Sequence, residues 1–266
     1  MDPDAERRAL LARVRETGAQ GGRIDPHRSI ATMELGLVDV LIAIALAGAF
    51  VAVYVNSLRL VGEWWTRAFT WLAGPLGLHG AIGQRETMLA SVPFFTAPVG
   101  PPGILGWSVG LLLTILAGLA SIPMRGRWLP LGYALRFAVA IQATALLFFA
   151  AVPAHFPYGL AEYTGGMMAI GSTIIGLVPV LYGLTLYLMD IGWTRKALLT
   201  VLTMGHLLVL VPLQYALQAA LIAHASLLVL PLCFIMFGML PEVMVIVALF
   251  GWGMSWRPLR ARGRRQ

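Results

Sequence analysis

Six stretches of the chain are almost free of charge and long enough to cross a bilayer. They lie near 35–57, 104–122, 131–152, 164–189, 198–221 and 227–252. A hydrocarbon core of roughly 30 Å needs about 20 apolar residues in a helix, so each stretch reads as a transmembrane span. Between the first two spans the pattern changes. In "LRLVGEWWTRAFTWL", Val61, Trp64, Trp65, Ala68 and Leu72 recur at helical spacing, while Arg59, Glu63, Thr66, Arg67 and Thr70 fall mostly on the other face. Glu63 and Arg67 stand four apart, a favourable helical pair. The pattern predicts an amphipathic helix lying in the membrane interface, with tryptophans at headgroup depth. The remainder of that connection, "GPLGLHGAIGQRETMLASVPFFTAPVGPPG", is too rich in proline and glycine for a long helix and is expected to cap the bundle mouth.

These elements predict an all-α polytopic membrane protein, a six-transmembrane-helix bundle with an outer interfacial helix and loop. The expected organisation is a polar tail at 1–32, a transmembrane domain at 33–256 with its long connection at 58–103, and a basic tail at 257–266. Within the first tail, "DAERRALLARVRETG" has the spacing of a short amphipathic helix. The fourth span carries small residues at 165, 166, 169, 171, 172 and 176, which allow close helix contact and predict a central position.

Composition agrees with this organisation. Of 266 residues, 59% are hydrophobic and 12% charged, half the charged share of a soluble domain. The net charge of +7 would suggest nucleic acid in a soluble protein, but here the cations sit at the chain ends and in short connections. Placing both termini inside puts fifteen Arg and Lys residues on the inner side and three, Arg59, Arg67 and Arg85, on the outer side. That bias predicts cytoplasmic termini and contact with anionic lipid at the inner face, and no nucleic-acid partner. Eighteen of the nineteen cations are arginine, a bias that points to a GC-rich bacterial genome and so to a bacterial cytoplasmic membrane. Cys233 is the single cysteine, so no disulfide forms within the chain.

The candidate chemistry is a set of polar groups inside the spans. Depth counting along helices places Glu242 roughly 5 Å, His206 roughly 6 Å and Arg136 roughly 8 Å from the middle of their spans, all toward the inner side. A charge near the bilayer centre costs about 2.5–3.5 kcal/mol on insertion scales, so the expectation is a Glu242–Arg136 pair with His206 alongside. Asp39, at roughly 11–12 Å, would join at the edge. Thr203, His206, Gln214 and Gln218 form a polar stripe on the fifth span, and Gln142 of the third span can face the same interior. Pro179, Pro212, Pro231 and Pro241 each remove a backbone donor and leave carbonyls free toward that interior. The bland reading is a structural network: Arg136 snorkelling to the headgroups and a neutral Glu242 bonded to a helix carbonyl.

A second candidate site gathers His79, Glu86, His155, Glu162 and His224 on the outer face, where three imidazoles and two carboxylates have the chemistry of a zinc or copper site. No two of them have the i, i+4 spacing of a preformed helical metal site, and interfacial polarity explains these positions without a ligand. The chain contains no Walker loop, dinucleotide fingerprint or HExxH, so no cofactor is expected. Three functions fit. The first is a non-catalytic subunit or docking factor for a membrane-protein partner. The second is a small proton-coupled transporter using the Arg136, His206 and Glu242 cluster. The third is a membrane enzyme acting through the outer histidines.

Overall fold

The computed structural model describes residues 37–256 except 79, 88–89 and 187–191. Both tails and His79 lie outside the described residues. The chain is a multi-pass membrane protein with six spans, as the hydropathy pattern predicts. In chain order the elements are α1 (Leu37–Ala73), β1 (Ala81–Glu86), β2 (Ser91–Thr96), α2 (Ile104–Ser121), α3 (Leu129–Ala151), α4 (Leu160–Leu186), α5 (Trp193–Ala225), α6 (Leu230–Phe237) and α7 (Leu240–Met254). The sixth span is thus two helices in line, α6 and α7, separated at Gly238 and Met239. One end of the bundle carries the β1–β2 hairpin. The other carries Arg125, Arg127, Arg195 and Lys196 and is called here the basic end.

Helix α4 is the centre. It packs on α5, α1 and β2, and its glycines set the distances. A Cβ on Gly171 would lie 2.7 Å from Val211 Cγ1 of α5, and one on Gly183 would lie 2.9 Å from Ala47 Cβ of α1. Gly165 receives the ring of Phe94 from β2. Tyr54 of α1 donates to Ser172 O of α4 at 2.8 Å, a polar tie between two apolar helices. By contrast α2 rests mainly on α3 and buries few side chains, Thr114 and Ser121 among them.

Two expectations for the first connection are corrected. Residues 58–73 do not form a separate interfacial helix; they continue α1, which runs unbroken for 37 residues, about 55 Å at helical rise. The amphipathic pattern has another cause. Trp65 and Phe69 are fully buried because they face the hairpin and α5, with the Phe69 and Phe95 rings 4.6 Å apart. Glu63 pairs with Arg59, at 3.3 Å, and not with Arg67. The second correction is the hairpin itself, a pair of six-residue antiparallel strands where a capping loop was expected. Val92 and Phe95 of β2 are buried, and Thr164 of α4 donates to Phe95 O at 2.7 Å.

A proline inside an apolar helix explains one of the longest-range hydrogen bonds. Pro212 lacks the N–H that would bond Leu208 O four residues back, and that carbonyl has no water in hydrocarbon. The Trp65 indole of α1 donates to it at 2.9 Å. Trp65→Phe keeps an aromatic ring in the core but leaves Leu208 O unpaired. It is expected to lower stability by about 1–3 kcal/mol, read as a lower melting temperature of the purified protein in detergent; an unchanged melting curve would contradict this role.

Candidate functional site

The site grows from the break in the sixth span. Pro241, near the start of α7, has no N–H for Phe237 O, and the chain turns at Gly238 with φ −67° and ψ −108°. Only glycine fits at this turn: a Cβ on Gly238 would lie 2.3 Å from Phe234 O. The carbonyls of Phe237 and Gly238 are therefore released from the helical ladder in the middle of a membrane span.

Side chains of α5 take them up. Gln214 Nε2 donates to Phe237 O at 2.9 Å and to Gly238 O at 2.8 Å. Gln218 Nε2 also donates to Phe237 O. Tyr215 Oη lies 3.2 Å from Gly238 O and 2.6 Å from Glu242 Oε1. Tyr163 of α4 donates to Gln218 Oε1. Gln214 and Gln218 are one helical turn apart, so both amides reach the same carbonyl.

Glu242 occupies the first turn of α7, where backbone N–H groups point out of the helix and the macrodipole favours negative charge. The residue is 0% exposed. Its Oε1 meets Tyr215 and, at 3.3 Å, Gln214 Nε2. Its Oε2 is buried and has no hydrogen-bond partner, and neither has Gln214 Oε1. Two acceptor oxygens without donors thus sit on two side chains that touch each other. An unsatisfied polar atom of this kind costs about 1–3 kcal/mol and more if charged.

The predicted Glu242–Arg136 pair is not formed. Arg136 is exposed on the outside of α3, donates to Ser121 O at 3.2 Å and stacks on Tyr133 at 5.6 Å. His206 is likewise exposed on α5, and Asp39 is exposed near the start of α1. The depths were compatible, but helices present side chains around a full circle, and these three face outward. Of the predicted interior set, Gln214, Gln218 and Glu242 come together. Gln142 is half-buried and serves a different carbonyl, Leu228 O at 3.2 Å before α6. Thr203 bonds Tyr182 of α4 at 3.0 Å, nearer the basic end.

Tyr163, Tyr215 and Gly238 were not singled out from the sequence. Tyrosine counts as apolar in a hydropathy window, so the two phenols disappear into the spans. The signal was present for Tyr215, flanked by Gln214 one position before it and Gln218 three after.

The outer-face residues stay apart. Glu86 is exposed at the end of β1 and His155 in the turn after α3. Glu162 accepts from Gly159 N at 3.0 Å at the start of α4, and His224 Nε2 meets Leu76 O at 2.9 Å. Among the described residues no three His, Cys, Asp or Glu side chains group to hold a metal ion. Comparisons with protein-family models, curated proteins and solved structures gave no match for this chain.

The geometry generates a quantitative contrast. A double-mutant cycle of Tyr215→Phe with Glu242→Gln should show a coupling of about 0.5–3 kcal/mol in thermal unfolding, because the two groups touch. The same cycle of Arg136→Gln with Glu242→Gln should be additive within about 0.5 kcal/mol. Coupling in the second cycle would restore the charge pair that the structure lacks.

Proposed function

We propose that the protein is a small proton-coupled carrier of a bacterial cytoplasmic membrane, with Glu242 as the group that takes up and releases the proton. The observation that carries this reading is the fully buried carboxyl whose second oxygen has no partner, at a break in a membrane span. A carboxyl kept only for structure would have both oxygens satisfied, since an incomplete buried network is worse than an apolar core. Discontinuous membrane helices are also where carriers hold coupling ions, because free carbonyls and a half-helix terminus supply polar groups without a water-filled pore. The reading replaces the Arg136, His206 and Glu242 cluster with Glu242, Tyr215, Gln214 and Gln218. The distribution of arginines supports a cytoplasmic basic end, with the hairpin outside.

A second reading, a non-catalytic subunit that docks a membrane-protein partner, is favoured by the α2–α3 pair. An open groove of about 520 Å³ lies along it, lined by Trp107, Leu111, Thr114, Gly118, Val139 and Leu147. A transmembrane helix of a partner fits that apolar lining. Gly118→Trp, which fills the groove, would then release the chain from its complex on native gels.

Charge displacement in proteoliposomes on a solid-supported membrane tests the first reading. A pH jump should give a transient current with the wild-type protein. Glu242→Gln should reduce it to the level of empty liposomes, while Arg136→Gln retains it. A wild-type signal equal to that of empty liposomes would overturn the carrier.

A further inference from the structure

We infer that Glu242 exchanges its proton with the hairpin end of the bundle and is sealed from the basic end; the inference rests on the proposed role of Glu242 as a proton acceptor. A polar file leads from the hairpin end to the carboxyl. It begins at Tyr163, three residues after the first residue of α4. The Tyr163 hydroxyl donates to Gln218, Gln218 and Gln214 share Phe237 O, and Gln214 and Tyr215 both contact Glu242 Oε1. Each step is a hydrogen bond or a carbonyl held in common. Tyrosine hydroxyls both donate and accept, so Tyr163 and Tyr215 can pass a proton on. The carboxamides do not carry an excess proton. They keep the file polar, so water entering between the two phenols finds hydrogen-bond partners at each position.

Toward the basic end the surroundings are different. The next polar pair is Tyr182 and Thr203, 3.0 Å apart, and Tyr182 also donates to Ile246 O at 3.2 Å. Ile246 is four residues beyond Glu242, about 6 Å along α7. Between the two polar nodes α5 contributes Leu207 and Val211, and α4 contributes Ile175 and Val178, all four 0% exposed. Gly171 brings α4 so close to Val211 that a single added carbon would clash at 2.7 Å. These four side chains offer water no hydrogen bonds; the one polar pair at this height of α4, Tyr54 with Ser172, lies at its contact with α1 and is bonded to itself.

The ionisable groups around the carboxyl are few. Tyr215 of α5 bonds it directly, and Tyr163 of α4 reaches it through Gln218, with Cys233 of α6 beside Tyr163. Tyr182 of α4 lies across Ile246 O. Lys196, the buried ammonium of α5, is at the far end of that helix, over the Trp193 ring at 4.1 Å. The side from which the proton arrives is therefore set by the file and the apolar layer, not by a neighbouring charge.

Carbodiimide modification in sealed vesicles tests this. Dicyclohexylcarbodiimide partitions into lipid and reacts with a protonated carboxyl: the acid O–H adds across a C=N bond, and the adduct rearranges to a stable N-acylurea, read by mass spectrometry. The full-length protein is reconstituted in one orientation, verified by labelling Gln84→Cys, exposed on β1, with an impermeant maleimide. Modification of Glu242 should follow the pH of the hairpin side, falling by up to about tenfold per pH unit as that side is made alkaline. It should not respond to the pH of the basic side. Tyr163→Phe should slow the response to a pH jump on the hairpin side. Leu207→Asn, which places an amide in the seal, should make modification respond to both sides. Modification that follows the basic side, or both sides equally in the wild type, overturns the inference and leaves the carrier reading standing. No modification at any pH removes the proton-acceptor role and the inference with it.

Discussion

A carbonyl released from its helix inside hydrocarbon must find a donor from elsewhere in the protein, because no water is there to replace the lost bond. Two prolines create this demand at structurally decisive places. Pro212 releases Leu208 O, and Trp65 of α1 supplies the indole N–H. Pro241 releases Phe237 O, and Gln214 and Gln218 of α5 supply amide N–H groups. Each solution joins two spans at a fixed height and rotation. Dispersion between apolar helices in lipid is weakly directional, so these bonds specify how α1, α5 and the sixth span meet. The tight glycine contacts of α4 then fill the remaining space.

The same demand builds the site. A span that crosses without interruption would present no free backbone polar groups and no helix start at mid-depth. The break at Gly238 provides both, and Glu242 takes the first turn of the new helix, where its own position favours a negative charge. Burial opposes that charge, and among the described residues no cation pairs with it. Tyr215 and Gln214 stabilise one oxygen and leave the other without a donor. On the proposed carrier reading, this balance suits a group that takes up and releases a proton.

The spans and the central position of α4 were legible in the sequence because both follow from one-dimensional quantities, hydropathy over about 20 residues and the recurrence of glycine. The charge pair was not legible. Depth along a helix follows from counting, but the angle at which Arg136 and His206 face depends on tertiary packing, and both face outward. The hairpin was hidden because half of β1 is polar and β2 contains Pro93, which demotes a strand pattern. It forms nonetheless, since β2 packs on α4 and α1. The extension of α1 was misread for a related reason. Its apolar stripe, with Trp65 and Phe69, matches protein and not the headgroup region.

A carrier also needs a part that moves without losing hydrogen bonds it cannot recover in lipid. Helix α6 meets that condition. It has eight residues, with Pro231 at its start and the Gly238 turn at its end. Ser226, just before the short turn that leads into it, has φ 85°, so the chain also departs from helical geometry there. No helical backbone hydrogen bond spans Gly238, so a rotation of α6 against α7 there breaks none, while at the other end Leu230 N donates to Leu227 O. Side chains support both ends: Gln142 on Leu228 O at one, where Leu227 N also donates to Gly100 O at 3.3 Å, and Gln214 and Gln218 on Phe237 O at the other. The amides at the second end also stand beside Glu242. On the proposed carrier reading, a change in the hydrogen bonding of that carboxyl alters the support of α6, which would link proton uptake to a change of shape through groups already in contact.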